Sequence, residues 1–357
     1  MTIETSKAEG ERCDARRVAV VIPCYKASRH ILGVVESLPP FVDWIIVVDD
    51  ACPDRSGAIL QAQCTDPRLE VHFNETNLGV GGAVMRGYQA AVAAGAEYIV
   101  KVDADGQMDP AMMRALLSPL LSGEADYAKG NRFYDLSQLM RMPLVRIVGN
   151  AALSFLAKLS TGYWDIFDPT NGYTAIHADT AARLPFQKIS KRYFFETDML
   201  FRLNTLRAVV ADVPMDARYG DEVSNLKIGR ILGEFLFKHV RNIFKRVFYN
   251  YFLRDFTIAS IELIAGAMLM AVGTALGLSA WVSSIQSGVP NNPGTVMLAA
   301  LPVLLGLQLV LAFLSYDINA VPRRPLQKFD RDARAGVARK PVDLDAARPI
   351  EGKTRHG

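Results

Sequence analysis

Between residues 17 and 103 the sequence alternates four short β-rich runs with three helical stretches, and three of the runs deliver polar or acidic clusters at their ends. A run such as Val18-Ala19-Val20-Val21-Ile22 has no polar face, so it belongs in a sheet covered on both sides. The pattern predicts strands over residues 18–23, 44–49, 69–73 and 98–102, with helices over 28–37, 56–63 and 81–94. Alternation of this kind folds as a mostly parallel, Rossmann-like α/β sheet with helices on both faces. Ligands bind such sheets outside the carboxyl ends of the strands. Pro23-Cys24-Tyr25, Asp49-Asp50 and Asp103 to Gln107 all fall there. Residues 111–220 keep a globular composition without the simple alternation, and are expected to form the acceptor-side half from mixed strands and loops.

Two apolar stretches dominate the C-terminal third. Residues 258–282 are interrupted by one charge, Glu262, and residues 296–316 by none. At 1.5 Å rise per residue each is long enough to cross a hydrocarbon core of about 30 Å. Lys245, Arg246 and Arg254 precede the first stretch and Arg323, Arg324 and Lys328 follow the second, whereas residues 283–295 carry no Lys or Arg. The positive-inside rule then sets both ends in the cytosol and the short loop outside. Upstream, residues 226–254 mix aromatic side chains with Arg and Lys, as a helix lying on a membrane surface does. The expected organisation is a disordered N-terminus (1–16), a cytosolic catalytic domain (17–225), juxtamembrane amphipathic helices (226–256), two transmembrane helices (257–318) and a disordered cytosolic tail (319–357) in a cell membrane, inner or plasma. The polar first 16 residues carry no secretory signal. Pairing of spans across protomers would give a homo-oligomer, although neither span is expected to present a GxxxG face.

Composition narrows the function. A net charge of +3 over 357 residues, with no basic and aromatic run outside the membrane-proximal region, argues against a nucleic-acid partner. Cys13, Cys24, Cys52 and Cys64 show neither CxxC nor Cys/His ligand spacing and read as reduced thiols. The acidic strand ends carry the chemistry. In Asp103-Ala104-Asp105-Gly106-Gln107, the side chains of Asp103, Asp105 and Gln107 can converge beyond the sheet, and two carboxylates with an amide oxygen suit a hard cation such as Mg or Mn. Such an ion bridges a nucleotide diphosphate and stabilises it as it leaves. Asp49-Asp50 repeats the device and can accept hydrogen bonds from a base or ribose. Asp54 and Ser56 suit the following turn and helix cap. The glycines of Asn77-Leu78-Gly79-Val80-Gly81-Gly82 fit either a phosphate cradle or tight strand-to-helix packing.

Taken in order, Val21-Ile22-Pro23-Cys24-Tyr25, Val47-Val48-Asp49-Asp50 with Pro53-Asp54, Asn77-Leu78-Gly79, Asp103-Ala104-Asp105-Gly106-Gln107, Gly130-Asn131-Arg132, Asp168 to Tyr173 and Ser224-Asn225-Leu226-Lys227 resemble family 2 glycosyltransferases of the GT-A fold, in the branch of dolichyl-phosphate and polyprenyl-phosphate sugar synthases. The resemblance covers about residues 17–230. It implies that Pro23, Tyr25 and Asp50 contact the nucleoside, that Asp103, Ala104, Asp105 and Gln107 hold metal and diphosphate, and that Arg132, Lys227 and Arg218 bind phosphate. Where the family often reads Tyr-Asn-Glu, Tyr25 is followed here by Lys26 and Ala27, which leaves GDP and UDP both open as the donor's nucleotide.

The family inverts, so an acceptor oxygen attacks opposite the departing nucleotide. A lipid monophosphate has a second pKa of about 6 and needs cations rather than a base. A sugar hydroxyl needs a positioned carboxylate, for which Glu196 and Asp198 are the candidates unless they pair with Arg192 or Arg202. The membrane stretches favour polyprenyl phosphate, undecaprenyl or dolichyl, receiving a hexose from a GDP-mannose or UDP-glucose type donor for cell-envelope glycans. A hydroxyl acceptor on a glycan or lipid-linked saccharide is the alternative. A non-catalytic membrane scaffold is a third reading, against which the intact Asp103, Asp105 and Gln107 argue.

Overall fold

The computed structural model describes residues 17–134, 144–215 and 228–329. The first half follows the predicted order: β1 (Val18–Cys24), α1 (Ile31–Glu36), β2 (Trp44–Asp49), α2 (Ser56–Gln63), β3 (Leu69–Phe73), α3 (Val80–Ala94) and β4 (Tyr98–Lys101). Then come α4 (Met113–Leu121), β5 (Tyr127–Asn131), α5 (Leu144–Thr161), β6 (Thr174–His177), α6 (Ala178–Ala182), α7 (Phe195–Leu206) and β7 (Val210–Pro214). Among the described residues, seven strands form one sheet in the order β3-β2-β1-β4-β6-β5-β7. Pairs among β1 to β4 are parallel, as helical crossovers require, and β5 pairs parallel with β7. β6 runs antiparallel between β4 and β5, which is where the simple alternation breaks.

Period-two alternation along the strands feeds two cores. Val18, Val20 and Ile22 point into one with Ile45 and Val47, while Ala19 and Val21 point into the other with Ile46 and Val48. This two-sided burial holds the strand ends, and hence the acidic clusters, along one rigid edge.

α8 (Ile228–Phe248) continues through a π-helical turn at Tyr249–Arg254 into α9 (Ile258–Ser287) and α10 (Pro293–Asn319). α8 is amphipathic in the reverse sense of a soluble surface helix: Phe237, Phe244 and Phe248 are exposed, whereas His239, Asn242 and Arg246 are buried. An outward apolar face with an inward polar one suits a helix resting on a lipid surface. α9 and α10 have mean hydropathies of 1.9 and 2.4, yet only 11% of the apolar window of either is buried. Apolar surface of that extent is left uncovered where lipid is its solvent, so both are candidate membrane spans.

The two spans pair within one chain through small residues. A Cβ added to Gly266 would lie 2.9 Å from Gly306 O, and one added to Gly273 would lie 2.8 Å from Ala299 O. Gly273 and Gly277 stand four apart, and both face Ala299. The expectation that neither span presents a GxxxG face is therefore corrected, since close backbone approach is what that spacing provides.

The hairpin's exit is fastened to the α/β domain at two points. Arg246 Nη1 and Nη2 lie 2.5 and 2.9 Å from the Asp317 carboxylate, which also accepts from Tyr251 Oη at 2.6 Å and Trp164 Nε1 at 3.1 Å. Beyond α10, the Leu326 and Gln327 backbone amides donate to Asp126 at 2.9 and 3.0 Å, and Gln327 Nε2 donates to Leu120 O and Ala125 O. The disordered tail expected from residue 319 is thus corrected as far as residue 329, which is packed on the domain because Asp126 and the carbonyls of Leu120, at the end of α4, and Ala125 need partners.

His239 Nδ1 lies 2.7 Å from Ser160 Oγ, and burial pushes the ring down to about 4 from 6.5. The folded state therefore prefers the neutral ring, and the unfolded chain takes up the proton first as pH falls. Thermal stability should decline between pH 6.5 and about 4, and His239→Gln should flatten that part of the curve.

Candidate functional site

The first strands converge on a cavity of about 320 Å³ at their carboxyl ends. Pro23 and Tyr25 border it from β1, Asp50 from β2, and Asp103, Ala104 and Asp105 from β4. Arg192 and Tyr193 close the opposite side from the loop that enters α7. Seven of the sequence-predicted residues are therefore assembled around one space or adjoin it: the six just named on strand ends, and Gln107, whose backbone N–H donates to Asp105 Oδ1 at 3.0 Å. The Gln107 side chain does not border the cavity. Cys24 does, with its thiol pushed up to about 12 by burial, so it is an inert wall.

The two acids at the end of β2 have separate tasks. Asp49 turns inward and accepts from the backbone amides of Cys52 and Gly57 at 2.7 and 2.8 Å. Asp50 accepts from Asn74 Nδ2 and Leu78 N through Oδ1, and from Gly79 N through Oδ2, at 2.7, 2.8 and 2.7 Å. It fixes the loop into α3 and still borders the cavity. The glycine-rich loop is a packing device: Gly81 N and Gly82 N donate to Lys191 O at 2.9 and 3.3 Å, and a Cβ on Gly79, whose φ is 85°, would lie 2.5 Å from that same oxygen. The amides that might have cradled a phosphate hang the Arg192 loop in place instead.

Asp103 Oδ1 lies 2.8 Å from the ammonium of Lys101, which is also 3.6 Å from Glu196 Oε1. Lys101 belongs to none of the motifs above, and its one signal in the sequence is that it is the single charge inside the β-rich run Tyr-Ile-Val-Lys-Val. Arg192, Tyr193 and His30, which also border the cavity, carry no local signal; only the chain's path brings them there.

Asp198 is fully buried and accepts from Ser190 N at 2.8 Å and Asn242 Nδ2 at 3.1 Å. It ties the loop and α8 to α7, and does not border the cavity. Neither acid forms the ion pair with Arg192 or Arg202 that the sequence suggested: Glu196 pairs with Lys101.

Arg132, at the end of β5, is not in this wall. Its Nε and Nη2 lie 2.8 and 3.2 Å from the buried Asp168 carboxylate. Beyond Arg132 opens a second, more apolar cavity of about 260 Å³ lined by Phe133, Phe155 and Phe167 with Ser154 and Lys158. Arg218 and Lys227 lie outside the described residues.

Among the described residues no three His, Cys, Asp or Glu side chains converge as a complete metal cage. Two carboxylates on one wall are nevertheless the protein share of a Mg or Mn site that takes its remaining oxygens from phosphates and water, so the donor set fits.

The family model for glycosyl transferase family 2 matches residues 19–184. The undecaprenyl-phosphate mannosyltransferase of Micrococcus luteus is 30% identical over 223 residues, which are 61% of this chain and 90% of that protein. The UDP-N-acetylglucosamine–dolichyl-phosphate N-acetylglucosaminyltransferase of Methanococcus voltae is 29% identical over 216 residues, 57% of this chain and 86% of its own. A solved structure of glucosyl-3-phosphoglycerate synthase from Mycobacterium tuberculosis with uridine diphosphate gives a TM-score of 0.49 at 20% identity, covering 67% of this chain and 83% of that one. With strand-end carboxylates around one cavity, and with the Micrococcus luteus relative 30% identical and matched over 90% of its length, the chain belongs to the family 2 glycosyltransferases.

Proposed function

We propose that this enzyme moves a hexose, with inversion, from a nucleotide sugar of the GDP-mannose or UDP-glucose type to a polyprenyl phosphate at the cytosolic face of a membrane. The observation that carries the reading is a carboxylate-walled cavity built into a domain fastened at two points to a pair of apolar helices. The two named relatives, a mannosyltransferase for undecaprenyl phosphate and an N-acetylglucosaminyltransferase for dolichyl phosphate, support the acceptor class.

In this reading Pro23 and Tyr25 flank the nucleoside, and Asp50 keeps the neighbouring loop in shape. Asp103 and Asp105 would hold Mg or Mn. Bound there, the ion would neutralise charge on the departing diphosphate. Arg132, oriented by Asp168, would meet the acceptor phosphate, joined by Lys227 and Arg218. The aromatic cavity beside it suits the first isoprene units, with Lys158 at its rim. A phosphate dianion attacks without surrendering a proton, so no carboxylate base is required. That agrees with the engagement of Asp198 and Glu196 in internal contacts.

Incubation of the membrane-bound enzyme with radiolabelled GDP-mannose or UDP-glucose and undecaprenyl phosphate should move label into an acid-labile lipid. Absence of any such product with either donor would sink the reading. Glu196→Gln separates the acceptors further: it should keep a substantial share of turnover here, whereas a hydroxyl acceptor that relied on Glu196 would lose nearly all of it.

A further inference from the structure

Lys101 is 1% exposed, at the end of a strand whose other residues are apolar or aromatic. A buried ammonium is costly unless it is paired, and this one has two partners, Asp103 at 2.8 Å and Glu196 at 3.6 Å. The partners differ in position. The Asp103 side chain is 31% exposed and borders the donor cavity, whereas Glu196 is 15% exposed and does not. One carboxylate thus reaches from the buried cation to the cavity, and the other stays behind as a counter-ion. Space for the contact comes from Gly172, where an added Cβ would lie 2.5 Å from Lys101 Nζ and 2.7 Å from Asp103 Oδ2.

We infer that Lys101 is a positioning residue for the cation site: shared with Glu196, it fixes the Asp103 carboxylate at the cavity wall, where it would help hold a divalent ion, and Gly172 is glycine to leave that contact room. The inference rests on the proposed metal-dependent donor site. A group that orients a ligand from behind is worth about 10- to 100-fold in metal affinity. Without Lys101, Asp103 loses its anchor and faces Glu196 as a like charge, so the orientation of its carboxylate at the cavity is no longer fixed.

The test is Mn²⁺ binding to the full-length protein in detergent, read by electron paramagnetic resonance with UDP and, separately, GDP present. Lys101→Met should weaken Mn²⁺ binding by about tenfold or more. Lys101→Met with Glu196→Gln removes the stranded like charge and should recover thermal stability while metal affinity stays low. Gly172→Ala keeps every charge and should weaken Mn²⁺ in the same direction, which covers the case in which Lys101→Met does not fold. Transfer assays should show the activity of Gly172→Ala partly restored by raised Mn²⁺, a response that general loss of fold would not give. Wild-type binding with unchanged or tighter Mn²⁺ in the double variant and in Gly172→Ala overturns the positioning role alone. Absence of Mn²⁺ binding by the wild type with either nucleotide overturns the metal site and this role together.

Discussion

Asp105→Ala should lower kcat/KM for sugar transfer by roughly a thousandfold, on the order of 4 kcal/mol of transition-state stabilisation. Charge grows on the diphosphate as the glycosidic bond breaks, and the strand-end acids are where the cation that answers it would be held. Asp105 is partly exposed and accepts the Gln107 N–H, so alanine there disturbs one turn and leaves both cores intact. The stabilisation conferred by Mn²⁺ plus UDP or GDP in thermal shift should vanish with the activity, because a ligand that no longer binds the folded state cannot raise its melting temperature. Chelation of divalent cations should give the same loss in the unaltered enzyme. A variant that keeps both activity and metal-dependent shift would remove Asp105 from the site.

Asp317→Ala should destabilise the folded protein by about 3–5 kcal/mol, the usual effect of stranding one member of a buried ion pair. Arg246 would remain 3% exposed with its counter-charge gone, and Tyr251 and Trp164 would each lose an acceptor. Thermal unfolding in detergent, followed by tryptophan fluorescence, reports on the contact directly because Trp164 is part of it. Replacing the pair together, Arg246→Met with Asp317→Leu, should recover much of the loss, since an apolar pair of similar volume leaves no charge to desolvate.

The half of the molecule built by alternation was legible residue by residue. β2, α2 and β3 begin and end where hydrophobic periodicity and turn residues set them, because each is decided by local pattern and by burial on both sheet faces. The acidic strand ends were legible for the same reason: a residue that follows a fully buried strand is delivered to its edge. What the sequence could not convey was pairing across distance. Lys101 and Glu196 lie 95 positions apart, and only the antiparallel entry of β6 and the packing of α7 bring them together. The glycine-rich loop was ambiguous because the same residue type permits a phosphate or a carbonyl to approach, and the occupant, Lys191 O, belongs to a distant loop. Asp198 looked like a base because an acid in a helical first turn gives no sign of whether it faces a cavity or Asn242.

The two-point attachment of the hairpin has a kinetic side. A catalytic domain on a single flexible linker would sweep a volume above its membrane and meet lipid headgroups at random angles and heights. Here Asp317 grips Arg246 at one end of the hairpin's exit and Gln327 is locked on Asp126 a few residues on, so tilt and swivel are both restrained. For the polyprenyl phosphate proposed as acceptor, the search would then reduce to lateral diffusion in two dimensions, with the domain's orientation fixed before each encounter.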